Sequence, residues 1–503
     1  MASGNGNGEP IRIGRMHQLF LDDYLIETSE KLSVVVNPVN KHPENPVIHP
    51  ELPWEPRGYI AYGSVIWDDE ESLYKAWCQD VGGRNVGGDN EDTKRTGLFY
   101  FTSEDGVNWQ RPELDVISFG EVRTNIVAMV MDSQHPAAWP YCQEFFGVSK
   151  DPAEADPERR YKLGYLYLDR DYEGDDGDPD HPGQQRGLGV AFSPDGIHWT
   201  PRDTWVTHAT IDGSTCWMWD PRLRKWVIYG RDRHIAPEVA EKWSDHPEFE
   251  HHWGRAVKRA ESEDFLTWEP DWGESILHID TADGPGHEIY GMNVFPYEDI
   301  YIGLVQMFYC YADNVSLDIQ LAVSRDGIRF DRLSDRSPFI PLGGVGAWDR
   351  MNHSAANNPP IQVGDELRFY YGGRDYRHSA PYKFADDGQD ATEHYIAGVG
   401  IGTILVDRFA GLVASFDTGR LVTRPLQFDS GALHVNANVK FGTLHLSVLD
   451  VEGNSLPDAE ARVSGVDAVD IPLNLPALSG SATTPVRLAI TISNGHLYSL
   501  WIE

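Results

Sequence analysis

A short motif, Ser-x-Asp-Gly-x-x-Trp, recurs along the chain and constrains its fold more than any other feature. In such a turn Asp caps backbone amides, Gly supplies a positive φ, and the aromatic residue packs back over the hairpin. Each copy follows a short run of strand-forming residues. One copy would indicate only a common hairpin turn, whereas four copies in phase with such runs indicate a structural repeat. The copies begin at Ser103, Ser193, Ser262 and Ser324, with Phe265 at the Gly position of the third and Phe330 ending the fourth.

A second unit precedes the turns: an apolar strand, a short acidic or Gly turn, and an aromatic strand. With the turn motif it makes five units of strand, turn, strand, strand and Asp-turn, the fifth ending near residues 396–405. Four-stranded sheets repeated radially form a β-propeller of roughly four to eight blades. The sequence therefore predicts a five-bladed β-propeller. The strand–turn–strand units are residues 64–77, 216–229, 292–304 and 360–371, and residues 161–169 fill the second position.

The turn motif stops near residue 412, where the pattern changes to alternating strands separated by Gly, Pro and Asn turns. A chain of 503 residues is also too long for one ordinary core, which favours two domains. We predict a disordered lead-in over residues 1–15, a propeller over 16–411 and a structural β-sandwich over 412–503. The predicted sandwich strands include residues 433–439, 442–449, 486–493 and 497–502.

The charge of the chain limits its partners. Its 42 Lys and Arg residues against 78 Asp and Glu residues give a net charge of −36, which repels nucleic acids and anionic membranes. A strongly anionic polysaccharide is disfavoured unless a local basic pocket overrides this field. The four cysteines are far apart, and we find neither a secretory leader nor an apolar run of the ~20 residues that span a bilayer. We therefore expect a soluble cytoplasmic protein, with homo-oligomers left open.

Three carboxylates are the predicted catalytic residues. In a propeller the first strand of each blade lines the central funnel, and three blades carry a carboxylate at corresponding depth just before or at that strand. Glycosidic cleavage requires one group to protonate the leaving oxygen and another to act as nucleophile or to activate water, while a third can stabilise positive charge. Asp220, by contrast, lies at a hairpin turn and is predicted to be structural. The predicted catalytic residues are Asp212, Glu288 and Asp349.

Further residues are candidates for catalysis or substrate binding. Asp22 and Asp23 interrupt the apolar run 19–26, which we expect to close the ring, with an acid paired to a buried arginine or else serving in catalysis. The other candidates are Glu55, Arg57, His287, Arg350 and His353, and the candidates for stacking on a sugar ring are Trp54, Tyr62 and Trp348.

Neither a metal nor a cofactor is predicted. The acidic loop 169–180 lacks the spacing of a calcium-binding loop, and the histidines lack the spacing of a zinc site. A nucleophile elbow, a P-loop and a dinucleotide fingerprint are all missing.

The chain resembles bacterial proteins related to glycoside hydrolase family 32. The resemblance rests on Gln18–Ile26, Lys41–Val47, Pro53–Glu55, the Asp-Gly-x-x-Trp repeats and Leu497–Trp501, and it extends over nearly the whole chain. It implies the five-bladed fold shared by the furanosidase families 32, 68, 43 and 62, followed by a β-sandwich.

Two of the three family 32 motifs have partial counterparts. The motif Arg-Asp-Pro resembles residues 211–213, which implies that Asp212 stabilises the transition state. The motif Glu-Cys-Pro resembles residues 287–289, which implies that Glu288 is the acid/base. The nucleophile motif Trp-Met-Asn-Asp-Pro-Asn-Gly is absent, and Asn125 or Glu55 lies in the nearest comparable region. Its absence argues against ordinary invertase or inulinase activity and indicates a divergent branch.

Three hypotheses follow. The first is an exo-acting hydrolase of a small neutral glycoside or furanoside (fructofuranoside- or arabinofuranoside-like), with Glu288 as acid and Asp212 or Asp349 as its partner. The second is a propeller that cleaves the bond with phosphate, which Arg57, Arg350 and His353 would receive. The third is a non-catalytic propeller that binds sugar by stacking on its aromatic side chains.

Overall fold

The computed structural model describes residues 9–52, 55, 58–80, 97–130, 136–169, 185–208, 215–269, 275–311, 314–378, 397–429, 431–475, 478 and 484–503. Over this part the chain is nearly all β, with one α-helix, α1 (Pro237–Trp243), and two short 3-10 helices. The prediction of an all-β chain is confirmed. None of the described helices is long and apolar enough to cross a membrane.

Short strands come first in the described chain, and five antiparallel sheets follow. The N-terminal strands are β1 (Ile11–Ile13), β2 (Gln18–Leu19), β3 (Ile26–Glu30), β4 (Ser33–Val36) and β5 (Asn40–Lys41). Sheet I contains β6 (Tyr59–Asp68), β7 (Leu73–Asp80), β8 (Gly97–Ser103) and β11 (Ile126–Met129), beside the hairpin β9 (Leu114–Phe119) and β10 (Val122–Thr124). Sheet II contains β12 (Cys142–Lys150), β13 (Tyr161–Asp169), β14 (Gln185–Ser193), β15 (Thr200–Pro201) and β16 (Thr207–His208).

Sheets III to V continue this order. Sheet III contains β17 (Cys216–Asp220), β18 (Lys225–Arg233) and β19 (Arg255–Ser262). Sheet IV contains β20 (His287–Tyr297), β21 (Ile300–Tyr311), β22 (Asn314–Ser324) and β23 (Asp331–Arg332). Sheet V contains β24 (Asn352–Ala355), β25 (Ile361–Val363), β26 (Glu366–Arg374) and β27 (Ala397–Leu405), with β5 at its outer edge. A parallel bridge between Leu317 and Asn352 joins sheets IV and V.

The four predicted Asp-turns share one hydrogen-bond pattern. In each turn an Asp side chain accepts from the two backbone amides that follow it by two and three residues, and the Ser hydroxyl donates to the same carboxylate. The residue at the Gly position has φ between 65° and 80°. Phe265, at this position in the third copy, therefore adopts a conformation that is uncommon for a non-Gly residue.

The same turns connect neighbouring sheets. Aromatic side chains of the second strands of sheets I, III and V donate to the carbonyl of the turn Gly in sheets II, IV and I. A Cβ on Gly196 would lie 2.6 Å from the Trp77 ring, and one on Gly106 would lie 2.5 Å from the Tyr370 hydroxyl. Gly thus allows both the turn and the close approach of the next sheet. The three bonds are Trp77 Nε1 to Gly196 O (2.7 Å), Tyr229 OH to Gly327 O (2.9 Å) and Tyr370 OH to Gly106 O (2.9 Å).

The first strands of sheets I to IV contact one another in chain order, and β24 of sheet V contacts β6, β21 and β22. Asn357, just after β24, receives a hydrogen bond from Trp217 N (3.1 Å) on its side chain and one from Ser64 Oγ (3.2 Å) on its carbonyl. The closed five-bladed propeller expected from the repeats stays a prediction. We call the edge where β6, β12, β17, β20 and β24 begin the strand-start edge, and the opposite edge, which carries the Asp-turns, the turn edge.

Two further sheets pack on each other around a common apolar core that includes Phe20, Leu421, Leu446, Ile490 and Leu500. Their C-terminal strands are β28 (Ala410–Ala414), β29 (Gly419–Thr423), β31 (Leu433–Asn438), β32 (Thr443–Leu449), β33 (Ser455–Ser464), β34 (Asp467–Leu473), β35 (Arg487–Ser493) and β36 (Gly495–Ile502). One sheet has the order β34–β31–β36–β28–β4 with β2 beside β36, and the other has the order β3–β29–β35–β32–β33. A separate strand, β30 (Leu426–Phe428), pairs with β1.

The N-terminal segment departs from the predicted boundaries. We expected residues 16–411 to form the propeller and the run 19–26 to close it, but β2, β3 and β4 pair with β36, β29 and β28 of the C-terminal sheets. The physical reason is that the run buries apolar side chains on both sides. Leu19 and Leu21 pack with sheets IV and V, whereas Phe20 and Leu25 enter the C-terminal core. The strand that pairs with β27 on the side opposite β26 is β5.

Candidate active site

Sheets III and IV bring charged and aromatic side chains together at the strand-start edge. In β18 and β19 the ladder pairs Arg233 with Arg255 and Tyr229 with Arg259. Because side chains alternate along a strand, Arg231, Arg233 and Arg255 share one face of sheet III, which meets the start of β20. Glu288 and Tyr290 project from β20 toward this face.

Glu288 is fully buried and both of its carboxylate oxygens accept hydrogen bonds. The backbone N–H of Trp253 donates to Oε1, and the Arg255 guanidinium donates to Oε2. His252 Nδ1 lies 3.7 Å from Oε1, but it accepts from Gly254 N (2.9 Å) while Nε2 donates to the carbonyl of His287 (2.7 Å). His252 is therefore assigned as a neutral ring and is not an ion-pair partner of Glu288.

The Arg255 guanidinium lies among aromatic rings. Its central carbon is 5.2 Å from the ring centre of Trp253, 5.9 Å from that of Tyr290 and 5.0 Å from that of Phe308. Such positions are attractive because the ring faces are electron-rich. The buried ion pair and the rings together hold Arg255 in one orientation, with part of its side chain exposed.

Tyr290 connects this group to two other sheets. The guanidinium of Arg231 lies 4.5 Å from the Tyr290 ring centre and donates to the Tyr290 carbonyl (3.2 Å). The Tyr290 hydroxyl lies 3.1 Å from Nε2 of His378, which follows β26 of sheet V. Arg231, Arg255, Glu288, Tyr290 and His378 are called the arginine–tyrosine cluster below.

Glu144 is a second carboxylate at this edge, and it was not predicted from the sequence. It lies near the start of β12, is half-buried, and accepts a long hydrogen bond from Gln79 Nε2 (3.4 Å). Gln79 is oriented in turn by Phe145 N, which donates to its Oε1 (2.5 Å). The available signal was a pair of polar residues, Gln143 and Glu144, near the start of the first strand.

Asp349 is held by residues of sheet V and of its edge strand β5. Its Oδ2 accepts from Lys41 Nζ (2.5 Å) and from the Tyr371 hydroxyl (2.9 Å), and His353 Nε2 lies 3.4 Å away. Burial opposes ionisation of Asp349, but hydrogen bonds from His353 and Lys41 outweigh it and hold its pKa well below the usual range. The hydrogen-bond partners of Asp349 thus differ from those of Glu288, which are Trp253 and Arg255.

The other predicted residues near Asp349 are occupied in packing. His353 is buried, with Nδ1 3.1 Å from the Ile340 carbonyl and Nε2 2.9 Å from the Asp349 carbonyl. Trp348 stacks on Tyr371 with ring centres 5.8 Å apart. Arg350 is exposed and donates to the Asp375 carbonyl (3.0 Å). Of the predicted phosphate receivers, His353 is thus buried and Arg350 is exposed, and the Trp348 ring face toward Tyr371 is covered.

Asp22 forms the ion pair that was one of its two predicted roles. Its two oxygens each accept from Arg325 at 2.8 Å, and Arg325 belongs to the Asp-turn that follows β22. Asp22 therefore lies at the turn edge, opposite the arginine–tyrosine cluster, which argues against a catalytic role. Asp23 is exposed beside it.

Glu55 has a fully buried side chain that anchors the chain before β6. It accepts from Glu51 N (2.6 Å), Leu52 N (2.8 Å), the Tyr59 hydroxyl (2.8 Å) and Arg111 Nε (2.7 Å). With its oxygens occupied in this way, Glu55 has a structural role.

The remaining predicted residues divide into two groups. His287 adjoins Glu288 and packs its ring against Tyr309, with centres 4.9 Å apart. Asp212, Trp54 and Arg57 lie outside the described residues, as does the side chain of Tyr62.

A cavity of about 680 Å³ lies at the opposite, turn edge of sheet III. Its lining is mostly acidic, and Glu261 in it is paired with Lys225 (2.9 Å) and Arg259 (2.8 Å). It is separate from the arginine–tyrosine cluster.

Asp318, on β22, is a buried acid with incomplete hydrogen bonding. Its Oδ2 accepts from the Tyr309 hydroxyl (2.8 Å), while its Oδ1 has no partner among the described residues. Burial raises the pKa of Asp318 to about 6, and the hydrogen bond from Tyr309 and the charge of Arg332 only partly oppose this effect.

Replacing Asp318 with Asn is expected to stabilise the protein at neutral pH. When the pKa of an acid is higher in the folded than in the unfolded protein, the free energy of unfolding falls as pH rises between the two pKa values. The Asn amide that would replace the acid cannot ionise, so the variant avoids this loss. The shift of about two pKa units corresponds to a gain of about 2–3 kcal/mol above pH ~7, and to almost none near pH ~4. Thermal melts of both proteins at the two pH values check this. An equal change in Tm at both would contradict it.

No protein-family model matches the chain, and no curated protein matches it. Solved structures with similar folds include a fructofuranosidase from Schwanniomyces occidentalis (11% identity, 93% of this chain and 98% of that chain covered, TM-score 0.44). A β-1,2-mannobiose phosphorylase from Listeria innocua is 11% identical over 74% of this chain and 98% of its own, with a TM-score of 0.44. A family 43 arabinoxylan arabinofuranohydrolase from Bacillus subtilis is 12% identical over 93% and 99%, with a TM-score of 0.37. At these identities and TM-scores the similarity does not extend to activity.

Proposed function

We propose that the protein is an enzyme that cleaves the glycosidic bond of a small carbohydrate at the strand-start edge. The observation that carries the proposal is the arginine–tyrosine cluster, in which Arg255 is held between a buried carboxylate and aromatic rings. Fixed guanidinium and phenol groups beside aromatic rings suit a sugar, which presents hydroxyls at its edge and C–H groups on its face.

The roles that we propose differ from those predicted by the family resemblance. Glu288 accepts hydrogen bonds from two strong donors and has no exposed surface. To act as an acid, it would have to lose the hydrogen bond from Arg255 or from the Trp253 amide. We assign it to positioning Arg255. Glu144, half-buried at the same edge, is the proposed acid or base, and Asp212 is retained as a proposed third carboxylate.

Hydrolysis of a furanoside is the leading reaction, and cleavage by phosphate is the second candidate. The second is favoured by two guanidinium groups, those of Arg231 and Arg255, beside one phenol ring. Guanidinium groups bind phosphate through paired N–H donors. This candidate therefore rests on Arg231 and Arg255, and not on the Arg57 and Arg350 that were predicted from the sequence.

A panel of aryl glycosides and short oligosaccharides, assayed with and without phosphate, tests the proposal. We expect Glu144→Gln to lose about 100-fold or more of the turnover, since that is the usual contribution of a general acid or base. Glu288→Gln should also lose turnover, whereas Glu261→Gln, which alters a half-exposed carboxylate at the turn edge of sheet III, should not.

The outcomes separate the hypotheses. Turnover that requires phosphate selects the second reaction, and turnover indifferent to phosphate selects hydrolysis. Binding of a sugar by calorimetry without cleavage of any substrate would replace the enzyme by a sugar-binding protein. Unchanged turnover in Glu144→Gln and in a folded Glu288→Gln would reject the assigned site.

A further inference from the structure

A histidine and two carboxylates lie on one face of the C-terminal sheet β34–β31–β36. His434 in β31 pairs with Pro472 of β34 on one side and with Trp501 of β36 on the other. Side chains two residues apart along a strand share a face, so Asp470 and Glu503 lie on the face of His434. Three adjacent strands thus contribute one side chain each.

These side chains are close enough to share one ion. One potential ligand atom of each lies within 4.8 Å of the others, and His434 Nδ1 is 2.5 Å from Asp470 Oδ1. Metal bonds from imidazole nitrogen and carboxylate oxygen are about 2.0–2.2 Å long, so ligand atoms around one ion lie up to about 4.4 Å apart. Small rotations of the two carboxylates would bring the three atoms around a common centre.

The backbone and the rings around the group are fixed. Glu503 N donates to the Ala432 carbonyl (3.0 Å) and Ala432 N donates to the Glu503 carbonyl (2.7 Å), which holds Glu503 beside β31. The His434 ring lies against Trp501, with centres 5.5 Å apart, and Trp501 stacks on His17 at 3.9 Å. A histidine oriented by its surroundings binds a metal at a lower entropic cost than a free one.

We propose that His434, Asp470 and Glu503 bind a divalent transition-metal ion of the Zn²⁺ class, with water completing its coordination. One imidazole nitrogen beside two carboxylate oxygens suits Zn²⁺ better than Ca²⁺ or Mg²⁺, which prefer oxygen ligands alone. To bind the ion through Nδ1, His434 must give up its hydrogen bond to Asp470. The ion links three strands of the C-terminal sheets and is independent of the proposed function. The sequence predicted no metal, because these ligands lack the short spacing by which a metal site is recognised in a chain.

Calorimetry of the full chain, freed of metal with a chelator and titrated with ZnCl₂, tests the proposal. We expect binding that raises Tm and that is weakened about tenfold or more by His434→Gln and by Asp470→Asn. The matched control is His445→Gln, because His445 Nε2 lies 3.4 Å from Glu460 Oε2 on neighbouring strands but belongs to no group of three potential ligands among the described residues.

Each outcome decides the proposal. Loss of Zn²⁺ affinity in His434→Gln and Asp470→Asn, with wild-type affinity in His445→Gln, supports it. Equal affinity in the wild type and both site variants overturns it, as does the absence of Zn²⁺ binding by the wild type. Displacement of Zn²⁺ by equimolar Mg²⁺ or Ca²⁺ would reject the assigned metal class.

Discussion

Replacing Asp407 with Asn is expected to lower the free energy of unfolding by about 3 kcal/mol, because it removes one partner of a buried ion pair. The Asp407 side chain is almost fully enclosed and accepts from His17 Nδ1 (2.7 Å), the Ser499 hydroxyl (2.5 Å) and the Tyr297 hydroxyl (2.8 Å). These donors come from the N-terminal segment, from the C-terminal sheets and from sheet IV. Asp407 has φ 66°, a conformation that Asn tolerates, so the variant tests the charge and not the backbone.

The effect should depend on pH in a defined way. Burial opposes ionisation of Asp407, but the His17 and Ser499 hydrogen bonds lower its pKa. The contribution of charged Asp407 to the free energy of unfolding is therefore present above its unfolded pKa of about 3.9. It is lost as pH falls through the lowered pKa of the folded state. Burial also opposes the charging of His17, yet Asp407 raises its pKa. The contribution of charged His17 to the free energy of unfolding is fully present below about pH 6.5 and is lost as pH rises through its raised pKa.

Melts of the wild type and Asp407→Asn should therefore differ most between about pH 4.5 and 6.5 and less at about pH 9. Asp417→Asn is the control, because the Asp417–Lys31 pair (3.2 Å) is exposed and should contribute less than about 1 kcal/mol. If Asp407→Asn were no more destabilising than Asp417→Asn, the buried cluster would not hold these segments together.

Gly196→Ala is expected to destabilise the protein by about 3 kcal/mol through two separate costs. The residue has φ 80°, and an L-residue there loses roughly 1–2 kcal/mol. The added Cβ would also lie 2.6 Å from the ring of Trp77, which is fully buried and cannot move away, and overpacking costs about 1–3 kcal/mol.

Gly120→Ala isolates the first cost. Gly120 has φ 62°, and a Cβ added there would meet no heavy atom of another residue within 4 Å, its chain neighbours aside. We expect a loss of only about 1 kcal/mol there. Urea denaturation of both variants measures the difference between them. Equal losses would mean that the approach of Trp77 to the turn contributes nothing.

The repeat was predictable because its causes are local. Asp105 and Asp195 cap amides within their own turns, and the residue at the Gly position has a positive φ in each copy, so the pattern is written in consecutive residues. That the same glycines also receive side chains from the next sheet was not predictable, because Trp77 and Gly196 are brought together only by packing.

The candidate site was predicted less well, for a physical reason. Because Glu288 and Asp349 lie at or just before the first strand of a sheet, we expected their carboxylates at comparable depth in the funnel. Position along the strand does not indicate the direction of a side chain. Lys41, from a strand added to the outer edge of sheet V, pairs with Asp349, and Arg255 encloses Glu288. These partners are remote in sequence, so neither spacing nor composition indicates them.

The pairing of the N-terminal strands with the C-terminal sheets has a consequence for biosynthesis. Gln18 pairs with Leu500 and Val36 with Ala410, so strands that leave the ribosome early find their partners only when translation is nearly complete. At about 5–20 residues per second this interval is on the order of a minute. During that time the apolar run around Phe20 has no partner strands and is exposed to solvent or to a chaperone. A change that slowed synthesis or folding of the C-terminal sheets would therefore also delay folding of the N-terminal segment.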